Sequence, residues 1–248
     1  MVSRRWYWLL VGLALVVVLL ATAPARLVLQ VLPADRVLLQ GVSGTLWRGT
    51  AARALVASGD EWLHLGQLHW QLSPMSLFVF SPRLTLDSQW GRQTLRARVT
   101  LSGAEDVTLE DVDAVFDAGV LRRYLPVSLA GSVNLQLPLL VIRQGLPEEA
   151  DGRVVWQNAG WLTPQGRRPL GSYAADLSTP EAGLLNAGII TLSGDVQAEG
   201  AASLDGAEYR LDMQLSGPGL DDPQLRQALQ LLARPDGDNY RLQLEGSL

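Results

Sequence analysis

Two hydrophobic periodicities divide this chain. From Trp6 to Ala23 no residue carries a charge, and the run is close to the ~20 residues that span a bilayer as a helix. Beyond it, apolar and polar positions alternate with period two, the signature of strands with one face buried and one wetted. Thr94 to Ser102 puts Leu95, Ala97, Val99 and Leu101 on one face and Arg96, Arg98 and Thr100 on the other. Val133, Leu135, Leu137 and Leu139 alternate with Asn134, Gln136 and Pro138, and the proline predicts a sheet edge or a strand end. Tyr209 to Leu215 and Tyr240 to Leu244 read as two copies of one strand type.

Glycine punctuates these strands. Ser102-Gly103, Ser193-Gly194 and Ser216-Gly217 each close an alternating run, and Gly131, Gly152 and Gly194 each open one. The spacing predicts a mainly β fold: an N-terminal transmembrane helix, then a curved, largely antiparallel meandering sheet with one or two short helices. A parallel sheet would need a long helix between successive strands. The best helix runs from Asp222 to Ala233, with Asp221 or Asp222 as cap and Leu225, Ala228, Leu229 and Leu232 on one face. A weaker one covers Asp117 to Tyr124 and stops at Leu125-Pro126. Pro24 to Leu32 either continues the apolar helix or forms a first strand. No linker divides the body, so the chain parses as a 1–5 N-terminal tip, a 6–23 transmembrane anchor and a 24–248 β-rich domain.

Charge orients the anchor. Arg4 and Arg5 lie just before the apolar run and hold the N-terminus in the cytoplasm by the positive-inside rule, which sends residues 24–248 across the membrane. Ala21, Thr22 and Ala23 have the small-x-small pattern of a signal-peptide cleavage site, but Pro24 follows directly and hinders the peptidase, so retention is expected. Net charge is −5, which disfavours nucleic acid as a partner. All 20 basic residues are Arg, which removes lysine chemistry; the absence of Cys removes disulfides, thiolate nucleophiles and zinc-cysteine sites.

Few residues point to a reacting centre. His64 and His69 are the two histidines, and neither has a carboxylate at ligand spacing; His69 falls on the polar face of an alternating segment and His64 on the opposite parity. Gly41, Val42, Ser43 and Gly44 superficially resemble a nucleophile elbow but lack the residue required between Ser and the second Gly. The carboxylate clusters at Glu105-Asp106, Glu110-Asp111-Asp113 and Asp221-Asp222 sit where turns and helix starts favour acids. No glycine-rich loop leads from a strand into a helix. The expectation is therefore no enzyme, no cofactor, no metal and no small-molecule substrate.

What stands out is a set of glycines and aromatics. Gly41, Gly44, Thr45, Leu46, Trp47 and Gly49 form a short strand flanked by glycines, in which Trp47 reads as an apolar plug for one end of the sheet. Leu68, Trp70, Leu72 and Pro74 make an apolar face with a proline stop; Trp156 and Tyr240 stand in later strands. The Gly44–Gly49 segment, the Leu68-x-Trp70-x-Leu72-x-Pro74 element and the closing Asp236-Gly-x-x-Tyr240-Arg-Leu, in this order behind an anchor, resemble the type II secretion system protein N family. The resemblance implies an accessory inner-membrane component with a periplasmic domain, in the machine that moves folded proteins across the outer membrane. Its implied partners are other components of that system, besides membrane lipid through the anchor. A more distant likeness to AsmA-type periplasmic proteins implies the alternative of a lipid-binding or lipid-transfer module.

Overall fold

A computed structural model describes residues 4–32, 35–58, 61–103, 105–123, 129–163 and 166–247. The chain is mainly β, and its strand pairs are antiparallel. It divides into two compact units, Met1–Trp90 and Gly91–Leu248.

The first unit opens with helix α1 (Arg4–Ala21), a 3-10 turn (Ala25–Leu27) and the single helical turn α2 (Val28–Val31). Pro24 is extended and makes an isolated bridge with Thr45, so the segment after the apolar run neither prolongs α1 nor forms a strand. Strands β1 (Val37–Gln40), β2 (Ser43–Gly44), β3 (Arg48–Ser58) and β4 (Glu61–Leu72), the short helix α3 (Pro74–Phe78) and strand β5 (Arg83–Trp90) follow. Their order is β1-β3-β4-β5, with β2 also on β3. Among the described residues no helix is long and apolar enough to cross a membrane. Two residues of α1 are arginines, and 18 residues at a rise of ~1.5 Å give about 27 Å, a little under the ~30 Å of a bilayer's hydrocarbon core.

A bulge in β4 reverses the side expected for His64 and leaves His69 on the polar face. Gly66 sits at φ +74°, where the pairing with β3 shifts register. Leu63 and Leu65 turn inward before it, Leu68 and Trp70 after it, so His64 and His69 both face outward. His64 stacks on Trp90 at 6.0 Å between ring centres.

The second unit contains β6 (Gln93–Leu101), β7 (Val107–Asp117), β8 (Leu129–Arg143), β9 (Leu146–Thr163), β10 (Gly166–Glu181), β11 (Leu184–Ser193), β12 (Gln197–Asp205), β13 (Glu208–Ser216), helix α4 (Pro223–Leu232), β14 (Arg234–Asp236) and β15 (Asn239–Ser247). Strands β6 to β13 lie in sequence order, then β15 and β14. The two copied strand patterns pair with each other: Leu215 faces Tyr240, and Leu211 faces Leu244. The Asp222 carboxylate accepts a hydrogen bond from Leu225 N (3.2 Å) at the start of α4, as the capping pattern predicts. Where the weaker helix is expected, Asp117 accepts from Gly119 N ahead of a 3-10 turn, Ala118–Arg123; Leu125-Pro126 falls outside the described residues.

Bulges also explain two departures in this unit. Gly131 and Gly152 do not open strands; they lie inside β8 and β9, at shifts in their pairing. Pro138 is not at an edge or an end, because β8 runs between β7 and β9. It is tolerated there because the ladder to β9 breaks register between Gln136 and Leu139, opposite Gly152. The buried residues of the unit gather locally: Ala118, Leu129 and Val133 in one cluster, and Val196, Ala198, Leu215, Leu220, Ala233 and Tyr240 beneath α4 in another.

Candidate functional site

The Gly41–Gly49 segment is the socket in which α1 ends. A helix leaves its last carbonyls without intrahelical donors, and an end set against protein needs donors from elsewhere. Here the Trp47 indole Nε1 donates to Leu20 O in the last turn at 2.8 Å, and just past the helix the backbone N–H of Leu46 donates to Ala23 O at 2.8 Å. Thr22 adds a hydroxyl bond to Val18 O at 2.7 Å. Gly41 and Gly44 take left-handed backbone (φ +66° and +91°), which lets the chain turn twice within a few residues. The loop then closes through Thr45 N donating to Arg48 O (2.9 Å) and Arg48 N donating to the Thr45 hydroxyl (3.2 Å).

Trp70 supports this loop from β4. Its ring lies under Gly49, where an added Cβ would run into the indole, and its Nε1 donates to Leu46 O at 3.1 Å. Leu46 is therefore held on both sides, its N–H by the helix end and its carbonyl by the core. Trp70 is buried with Ala25, Ala51, Ala54 and Leu68. Leu72 N donates to Trp47 O at 2.8 Å, and two residues later Pro74 opens α3, a position that needs no donor from proline.

The structure thus brings Gly41, Gly44, Thr45, Leu46, Trp47, Gly49, Trp70 and Pro74 together in the first unit. Trp156 and Tyr240 belong to the second. Trp156 Nε1 donates to Ala130 O (3.2 Å) and its ring tilts against Tyr173 at 6.0 Å, while Tyr240 is core. Trp47 is half-buried and acts through its N–H, not as the apolar plug its composition suggests. The carbonyls of Leu20 and Ala23 leave no mark in the sequence, since any residue supplies them.

Charged groups show ordinary pairings. On the exposed face of the second unit Arg153 grips Asp176 with two hydrogen bonds (2.5 and 2.8 Å), and Arg241 grips Asp212 (2.9 and 2.6 Å). These hydrogen bonds hold both carboxyls below, and both guanidiniums above, their usual ranges. Burial pushes the Tyr173 phenol up to about 12, and its hydroxyl donates to Val196 O at 2.8 Å. Asp87 lies directly across from His69 on β5, and Thr50 across from it on β3, a row that linear spacing does not reveal. Among the described residues no group of three or more His, Asp or Glu side chains is placed to hold a metal ion.

The Trp47 bond has a measurable consequence. Trp47→Phe keeps an aromatic side chain but removes the indole Nε1 donor and its one exposed hydrogen bond, at a cost of about 1 kcal/mol. Exchange of the Leu46 amide should then rise roughly five-fold by hydrogen–deuterium exchange, with the second unit unchanged. An unaltered Leu46 rate would mean that the indole does not hold the helix end.

Comparisons with known proteins converge on one family. The family model described as Type II secretion system (T2SS), protein N matches residues 35–243. The chain is 36% identical over 245 residues to the type II secretion system protein N of Aeromonas hydrophila, covering 93% of each chain. It is 28% identical over 267 residues to the protein of that name from Vibrio cholerae serotype O1, covering 98% of each, and 29% identical over 217 residues to that of Pectobacterium carotovorum subsp. carotovorum, covering 83% of each. No solved structure matches. With the family model spanning most of its length and the Aeromonas relative aligned nearly end to end, this chain belongs to the type II secretion system protein N family.

Proposed function

We propose that this protein is a membrane-tethered, non-enzymatic interaction module of the type II secretion system. Helix α1 sits in the inner membrane with its N-terminus in the cytoplasm, and residues 24–248 stand in the periplasm as a scaffold for other components of the system. The observation that carries this reading is the socket: Trp47 and Leu46 seize the end of an apolar helix whose Val11, Leu15, Val18, Leu19 and Leu20 are exposed. A helix that presents such a surface while its end is fixed to a folded sheet suits a tether in lipid rather than a core element. Its modest length is met by local thinning of the bilayer.

For the partners, sheet edges supply the chemistry. Strand β1 pairs on one side with β3, and β14 covers β15 only at Asn239–Arg241, which leaves Leu242–Ser247 open on that side among the described residues. An extended segment of a partner can add there as a further strand. Photo-crosslinking residues placed at Leu38 and Leu244 in secreting cells test this. Capture of another secretion component at either edge, with export of folded proteins lost on deletion of the gene, is the expected result. Capture of none, with export unchanged, would refute the proposal.

A further inference from the structure

The loop after Pro74 is built with its polarity inverted. Met75, Phe78, Val79 and Phe80 are 73%, 78%, 70% and 91% exposed, in direct succession but for Ser76 and the partly exposed Leu77. Its polar groups turn inward instead. The Ser76 hydroxyl donates to Ser73 O (2.6 Å) and accepts from Arg83 N (2.9 Å), while Ser73 N donates to Arg83 O (2.9 Å) and Ser81 N to Ser76 O (3.1 Å). Phe80 is held at φ +53°, a conformation costly for a bulky residue, with its N–H on Leu77 O at 3.2 Å. The loop is thus tied at its base while its apolar side chains stand outward.

Its position names the occupant. Leu72 N, at the root of the loop, donates to Trp47 O, and the indole of that same Trp47 holds Leu20 O at the end of α1. One residue thus ties the root of the apolar loop to the point where the tether leaves its lipid. From Leu72 to Met75 the chain can extend at most roughly 10 Å. We infer that the Met75–Phe80 loop inserts into the outer leaflet of the membrane that α1 spans, as a second lipid contact beside the tether. Apolar and aromatic side chains at this depth sit at the boundary of headgroups and acyl chains. Two contacts fix the orientation of the sheet relative to the bilayer, which a single helix crossing cannot do. The inference rests on the tether reading of α1.

The chain has no cysteine, so single-cysteine variants report cleanly. Leu15→Cys in α1, Phe78→Cys and Met75→Cys in the loop, and Trp62→Cys, exposed near the end of β4 opposite the loop, are labelled with an environment-sensitive fluorophore. The full chain is reconstituted in vesicles of phosphatidylethanolamine and phosphatidylglycerol, with and without doxyl-labelled lipid. The expected result is loss of about half the emission at positions 15, 78 and 75 on adding doxyl lipid, and little loss at 62. Quenching at 15 with positions 78 and 75 behaving like 62 overturns the inference and leaves the tether standing. Quenching at 78 and 75 without 15 removes the tether and, with it, the inference of a second contact beside it. Quenching at none of them removes both.

Discussion

Replacing Trp70 by alanine is expected to destabilise the first unit by about 3–5 kcal/mol, the range for removing a large aromatic from a packed site. The ring is buried under Gly49 and packed with Ala25, Ala51, Ala54 and Leu68. The loss extends beyond the cavity. Trp70 Nε1 is the donor to Leu46 O, and Leu46 N is the donor to Ala23 O, so the variant loosens the socket as well as the core. Trp70→Phe separates the two effects: it keeps most of the ring, loses the Leu46 bond, and should cost about 1–2 kcal/mol. Urea titration followed on the first unit measures both. A loss under about 1 kcal/mol for Trp70→Ala would show that the glycine and alanine contacts around the ring do not amount to a core. If the socket is what joins tether to scaffold, export should fall with Trp70→Phe as well as with Trp70→Ala, because both variants lose the donor to Leu46 O.

The strands were legible wherever their phase stayed intact. Leu95, Ala97 and Val99 occupy the inner face of β6 as alternation requires, and the strand ends at Ser193 and Ser216 fall at the Ser-Gly pairs. Bulges broke the reading elsewhere. Gly66 shifts the phase of β4 by one and brings His64 and His69 to one face; Gly152 lets Pro138 into an interior strand. Period-two counting cannot see such steps, because a bulge is one extra residue whose place is set by the partner strand. The family motif was visible as a set of glycines and a tryptophan, but its task was not. The bond from Trp47 to Leu20 spans 27 positions and that from Trp70 to Leu46 spans 24, each ending on a backbone carbonyl that carries no sequence signal. The loop at Met75–Phe80 did carry one: four apolar residues in succession, Leu77 to Phe80, between Ser76 and Ser81, too short for a span and lacking the alternation of a strand.

The second unit depends on a point where two backbones pass without side chains between them. Gly171 in β10 and Gly194, just past the end of β11, approach so closely that a Cβ on Gly194 would run into Gly171 Cα and stand 2.6 Å from Leu170 O. Gly194 also sits at φ +122°, a region that L side chains rarely adopt. The approach lets Val196 N reach Leu170 O (3.2 Å) and Tyr173 reach Val196 O, which seats Val196 in the cluster with Leu215 and Tyr240. Gly194→Ala should therefore cost about 3 kcal/mol or more, combining backbone strain with overpacking against atoms that cannot rotate away. Gly183 supplies the control. It lies in the β10–β11 turn at φ +83° with open space where a Cβ would stand, so Gly183→Ala carries the conformational cost alone, about 1 kcal/mol. Thermal melts of the two variants decide between the causes: equal losses would mean that backbone conformation, not the close passage, makes Gly194 necessary. A markedly larger loss at Gly194 ties the cluster around Tyr240, the residue of the C-terminal motif, to a contact nearly fifty positions upstream.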